Sequence, residues 1–119
     1  GFGLTGTLPG LVGQQKALEL LYTGARIKGE EAVAIGLADK LAPLQELRAT
    51  ALEFAGEIAA SAPLAVESIR ETMRGHLPEA IKLATDREKE EQDHLRTTDD
   101  WKEGVNAMNQ RRLPNFSRR

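Results

Sequence analysis

The C-terminal stretch is basic, carrying Arg111, Arg112, Arg118 and Arg119. Arginine suits bidentate contacts to phosphate, which makes this stretch a candidate anion site. Cations also stabilise a helix C-terminus, so a plain helix end accounts for them as well. Just upstream, Trp101 and Met108 lie seven residues apart, on one face of a helical pattern. That stripe serves a core or an interface more readily than a ligand platform.

Other groups carry weaker signals. Gly1, Gly3 and Gly6 spell G-x-G-x-x-G. A dinucleotide site, however, needs a strand before that motif and a helix opening from it. Pro9 and Gly10 are expected to interrupt such a helix, so tight loop packing is the better reading. His76 and His94 are eighteen residues apart and show no metal-ligand spacing, so no metal is expected. Asp86 to Asp93 holds five acids and two bases. Its Lys82/Asp86, Arg87/Glu91 and Lys89/Asp93 pairs suit a solvated or subunit-facing helix better than acid/base chemistry. Ser61, Ser68 and Ser117 fall in no nucleophile pattern.

The elements that must position these residues are mostly helical. Gly1 to Gly13 reads as a glycine-rich loop. A helix is expected over about Gln14–Tyr22, stopped by Gly24. A short helix follows, with Glu30 and Glu31 in its first turn and Gly36 as its stop. Leu37–Leu41, closed by Pro43, is the one strand candidate. Leu44, Leu47, Ala51, Phe54, Ala55 and Ile58 share a helical face. Ser61 is expected to cap a helix with Pro63 in its first turn and Gly75 at its end. Pro78 opens a further helix, and Thr97 or Thr98 caps the last one, which ends before Pro114. More apolar faces result than this chain pairs by itself, so they are expected to meet other sequence or other subunits.

Composition sets the outer bounds. The chain has 119 residues, and sixteen Lys+Arg against eighteen Asp+Glu leave a net charge of −2. No basic excess argues for nucleic acid. Cys is absent, which excludes disulfides, thiolate catalysis and Cys-bound zinc. Nothing suggests an oxidising compartment, and a cytoplasmic location is expected. No apolar run approaches the roughly 20 residues of a membrane span. The chain opens on Gly1 without an initiator Met or a signal-peptide pattern, and is expected to be a fragment.

Taken together, the chain resembles the C-terminal half of the enoyl-CoA hydratase/isomerase (crotonase) family. Leu8-Pro9-Gly10-Leu11-Val12-Gly13 followed by Ala17-Leu18-Glu19-Leu20-Leu21-Tyr22-Thr23-Gly24 is similar to its L-P-x-x-V-G…A-x-E-L-x-x-T-G. Ile27 to Pro43, with Glu31-Ala32 and Gly36-Leu37, is similar to I-x-A-x-E-A-x-x-x-G-L-V-x-x-V-x-P. Ile58-Ala59-Ala60-Ser61-Ala62-Pro63-Leu64-Ala65 follows I-A-x-x-x-P-x-A. Asp100, Glu103-Gly104, Ala107-Met108, Arg111-Arg112, Pro114 and Phe116 follow D-x-x-E-G-x-x-A-F-x-x-K-R-x-P-x-F.

The resemblance implies the helical C-terminal part of a crotonase-like α/β fold, mostly α, with at most one short strand here. Residues 1–43 would end the family's core, and residues 44–119 would form a helical trimerisation and lid region. It implies an acyl-CoA thioester substrate, with hydration of 2-enoyl-CoA in fatty-acid breakdown as the leading reaction. CoA is then part of the substrate, and no separate cofactor is expected. The catalytic residues would precede Gly1, so none is expected in this chain, which alone would be inactive. In some family isomerases a catalytic Asp falls at the position of Gly1. Met108 and Arg111 fall where the family's last helix places an aromatic and a Lys against CoA, so both are candidate CoA contacts. A homotrimer or dimer of trimers is implied, without nucleic acid or membrane. The alternatives are a non-catalytic oligomerisation or CoA-binding module, a crotonase-fold isomerase, and a dihydroxynaphthoyl-CoA synthase relative. Leu4 and Arg96 stand where that synthase branch has Ser and Tyr, which counts against it.

Overall fold

A carboxylate from far along the sequence starts the first helix. In the computed structural model, which describes residues 2–119, α1 spans Leu4–Val12 and its N-cap, Gly3, offers no side chain. Glu88, from the helix α6 (Leu77–Leu95), takes that role. Its Oε2 accepts the Gly3 N–H at 2.8 Å, and its Oε1 accepts the Thr5 N–H at 2.9 Å and the Thr5 hydroxyl at 2.7 Å. An anion at a helix N-terminus satisfies donors that have no partner within the helix. The same bonds hold the Glu88 carboxyl below its ordinary pKa, the Thr5 hydroxyl contributing most.

This helix corrects the expectation of a loop over Gly1 to Gly13. Pro9 lies inside α1 rather than interrupting it, and Gly13 N–H donates back to Pro9 O at 3.0 Å. Tertiary packing overrides the low helix propensity of Gly and Pro. Leu8 is buried, and the side of α1 that bears Gly3 and Gly6 lies directly on α6. A Cβ at Gly6 would stand 2.9 Å from Ala84 Cβ, and one at Gly3 would stand 2.9 Å from Ile81 Cγ2. The glycines do serve tight packing, but between two helices rather than within a loop. Gly1 itself, and the site role weighed for it, lie outside the described residues.

Helix α2 (Gln14–Thr23) ends at Gly24 in the left-handed conformation, as its sequence predicts. The short α3 (Gly29–Ala34) carries Glu30 and Glu31 in its first turn. The strand expected at Leu37–Leu41 does not form. Leu37 and Ala38 N–H both donate to Ala32 O, at 2.8 and 3.1 Å, so the chain turns back on α3. Leu41 then lies over Gly29, whose missing Cβ would stand 2.6 Å from Leu41 Cδ1. With those amides turned inward, no strand forms among the described residues, which are mostly helical.

Helix α4 runs Leu47–Ala59, α5 runs Pro63–Arg74, and α7 runs Asp99–Asn109. Leu44 lies ahead of α4, in a turn where Glu46 N–H donates to Pro43 O. Ser61 does not cap α5. Ala62 is its N-cap and makes no side-chain cap bond, and Pro63 at the first position presets the helical φ. Thr98 does cap α7, its Oγ1 accepting the Trp101 N–H at 3.1 Å. The salt bridges Lys82–Asp86, Arg87–Glu91 and Lys89–Asp93 line the exposed side of α6.

Helix packing concentrates where α1 meets α2 and α6. The Cα radius of gyration is 19.2 Å, against about 13.5 Å for a compact domain of this length. Leu8, Ala17 and Ala107 are the buried apolar residues among those described, while Leu64, Ile69 and Met73 on α5 stay exposed. No helix among the described residues is long and apolar enough to cross a membrane.

Candidate CoA-binding end of the last helix

The tail after α7 folds back along that helix. Asp100, in the first turn, binds the far end of the tail. Its Oδ1 accepts the Ser117 N–H at 2.6 Å and its Oδ2 accepts the Arg118 N–H at 2.8 Å. The Asp100 N–H in turn donates to Arg119 O at 2.9 Å. One turn on, Glu103 receives the Arg112 guanidinium as a two-pronged fork, at 2.6 and 2.8 Å, together with the Asn115 N–H at 2.8 Å. These donors hold the Glu103 carboxyl well below the usual carboxylate range, at about 2, with Arg112 the main cause and Asn115 the second. The Phe116 ring lies over Gly104, where a Cβ would stand 3.5 Å from the ring edge, in ordinary contact.

The pattern D-x-x-E-G…R-x-P-x-F is thus a fastening in three dimensions. Asp100 and Glu103 accept from the tail, Arg112 reaches back to α7, and Phe116 covers Gly104. Between helix and tail lies an open cleft of about 320 Å³, lined by Asp100, Trp101, Gly104, Val105, Met108 and Phe116. Trp101 and Met108 line it together, so the stripe read from their spacing is a groove wall. Met108 remains 72% exposed at its mouth.

Arg111 and Arg112, expected to be neighbours on a helix, both lie beyond its end at Asn109. Their roles separate cleanly. Arg112 is committed to Glu103, and its Nε donates to the Gln110 side chain at 2.8 Å. Arg111 is exposed, adopts φ +52°, and makes no ion pair or side-chain hydrogen bond among the described residues. Sequence reasoning missed Glu103 and Arg112 as a unit. The nine-residue separation of an acid and a base was the available signal, and it pairs no two side chains on a straight helix.

The other candidates stay apart from this end. His76 is the N-cap of α6, and His94 is in its last turn; both are exposed. Gly3 and Gly6 serve the α1–α6 contact. A second cleft, of about 250 Å³, lies between residues 38–42 and α4. Its cation is occupied: Lys40 Nζ sits 4.3 Å from the Phe54 ring centre and 3.5 Å from Glu57 Oε1.

The sequence pattern of the enoyl-CoA hydratase/isomerase family matches residues 1–119. The chain is 34% identical to the short-chain-enoyl-CoA hydratase of Clostridium acetobutylicum, over all of this chain and 46% of that protein. It is also 34% identical to the methylmalonyl-CoA decarboxylase of Escherichia coli, over 82% of this chain and 38% of that protein. Among solved structures, an enoyl-CoA hydratase/isomerase from Pseudoalteromonas atlantica superposes with a TM-score of 0.78 at 28% identity. That match covers 97% of this chain and 46% of the other. The chain therefore spans about half the length, or less, of these relatives. With a helical architecture shared with crotonase-fold proteins and a family pattern that runs from its first residue to its last, the chain belongs to the enoyl-CoA hydratase/isomerase family.

Proposed function

We propose that the chain is the C-terminal helical part of an enzyme acting on acyl-CoA thioesters, with hydration of 2-enoyl-CoA as its reaction. One observation carries the assignment to this end of the fold. Arg111 is an exposed cation whose side chain has no partner among the described residues, and its N–H is bonded to the carbonyl of Met108, which lines an apolar cleft. A CoA thioester offers both complements, phosphates for the guanidinium and an apolar portion for the cleft. The order of the family's motifs along the chain supports the C-terminal placement. Residues 1–43 would end the core, and residues 44–119 would form the helical lid and trimer contacts.

In this reading, the residues of this chain bind and orient. Arg111 takes a CoA phosphate, and Met108 lies against the nucleotide or acyl side. No residue among the 119 is assigned an acid/base role. The thioester oxygen would be polarised, and the water activated, by groups of the family's other half. The decarboxylase relative leaves open a different fate for the same thioester-stabilised anion. The exposed apolar residues of α4 and α5 fit a homotrimer, and a chain without Cys fits the cytoplasm.

Crotonyl-CoA hydration by the intact protein containing this chain is the direct test. Turnover that is lost when the 119 residues are assayed alone supports the reading. An intact protein that leaves crotonyl-CoA unchanged but decarboxylates a malonyl-type thioester would replace hydration with that reaction.

A further inference from the structure

Arg111 occupies a conformation that glycine usually fills. It follows Gln110, the C-cap of α7, at φ +52°. Arg111 N–H donates to Met108 O at 3.2 Å and Arg112 N–H to Ala107 O at 3.0 Å, the two hydrogen bonds of a Schellman ending. A side chain with a Cβ is strained there and persists only where its surroundings over-determine the backbone. Those surroundings are on the C-terminal side. Arg112 is locked into the Glu103 fork, Asn115 N–H is held by the same carboxylate, and the Ser117 and Arg118 amides are held by Asp100. The clamp therefore does two things. It fixes the residue after Arg111, and it uses up the other nearby guanidinium.

We propose that Glu103 is a positioning residue for CoA recognition: by clamping Arg112 and Asn115 it holds the left-handed turn that presents Arg111 to a phosphate. This rests on the reading of Arg111 as a CoA contact. Released from the clamp, the turn relaxes to negative φ and Arg111 samples many placements. Ordering it again then has to accompany binding and weakens affinity. Arg112, freed from Glu103, competes for the same anion in a different geometry.

The test titrates the intact protein with two unreactive probes, butyryl-CoA and butyryl-pantetheine, the second lacking the nucleotide phosphates. Arg111→Ala is expected to weaken butyryl-CoA binding roughly tenfold or more, as the loss of a charged hydrogen bond implies. Glu103→Gln should weaken it by roughly a similar factor and flatten its salt dependence in the same way. Butyryl-pantetheine affinity should not change. The Glu103→Gln/Arg111→Ala double variant should bind no more weakly than Arg111→Ala, because both changes remove one contact. Should Glu103→Gln fail to fold, Arg112→Lys carries the same expectations, since it keeps the charge and loses the fork. Unchanged CoA affinity in Glu103→Gln, with Arg111→Ala impaired, overturns the positioning role and leaves the Arg111 contact standing. Equal losses for both probes mark a fold defect and also overturn it. No loss in Arg111→Ala removes the contact, and the proposal with it.

Discussion

Gly6 offers the sharpest test of the α1–α6 packing. Its absent Cβ would stand 2.9 Å from Ala84 Cβ and 3.3 Å from Ala80 O. Carbon atoms prefer about 3.5–4.0 Å, so Gly6→Ala forces α1 and α6 apart by roughly 0.6–1 Å. Neither neighbour can swing away, because one is a methyl on a helix and the other is backbone. Overpacking of this kind costs about 1–3 kcal/mol, while replacing a mid-helix Gly with Ala returns roughly 0.5–1 kcal/mol. The net expectation is a destabilisation of about 0–2.5 kcal/mol, read from urea unfolding of the intact protein, against a stabilisation at Gly10. Gly10 is the internal control, since it lies in the same helix with nothing within 4 Å of its would-be Cβ. Gly10→Ala should stabilise by roughly 0.5–1 kcal/mol. Adding Ala84→Gly to Gly6→Ala should recover part of the loss by reopening the contact. If Gly6→Ala stabilises as much as Gly10→Ala, the close α1–α6 approach is wrong.

Three further outcomes follow. Glu103 titrates near 2 in the folded chain, below the roughly 4.3 of an unfolded Glu. Its stabilisation is therefore complete above that upper value and is lost as the pH falls toward the lower one. The protection of the Asn115 amide, measured relative to an unprotected amide at the same pH, should fall as the pH drops across that window, and Glu103→Gln should remove that change in protection. Thr98→Ala removes the oxygen that accepts the Trp101 N–H and should cost about 0.5–2 kcal/mol in urea unfolding. The 119-residue chain by itself should self-associate at micromolar concentration in sedimentation, because Leu47, Leu52 and Ile58 on α4 and Leu64, Ile69 and Met73 on α5 are exposed. A stable monomer would contradict that reading of the two helices.

The sequence marked the helices whose signals are local. Gly24 as a stop, the acids opening α3, Pro63 at the start of α5 and the Thr98 cap all act within one turn of themselves, and all appear where expected. What sequence reading missed depends on distant partners. Nothing in Gly3, Gly6 or Pro9 reveals that Glu88, more than eighty residues away, supplies the cap for α1. Leu37–Leu41 has an apolar pattern suited to a strand, but its first amides are taken by Ala32 O. At the proposed CoA-binding end, a family pattern could point to Arg111 and Met108. It could not distinguish Arg112, bound to Glu103, from Arg111, whose side chain has no partner among the described residues, because that difference lies in the return of the tail to Glu103.

If Arg111 contacts a phosphate of a CoA thioester, its loss must show in the KM for crotonyl-CoA of the intact protein. The comparison is Arg111→Ala against Arg48→Ala, which removes one exposed charge on α4 instead. KM should rise roughly ten- to a hundredfold for Arg111→Ala, less at high salt, with Arg48→Ala close to the unmodified protein. Equal KM values for the two variants would rule out the Arg111 contact.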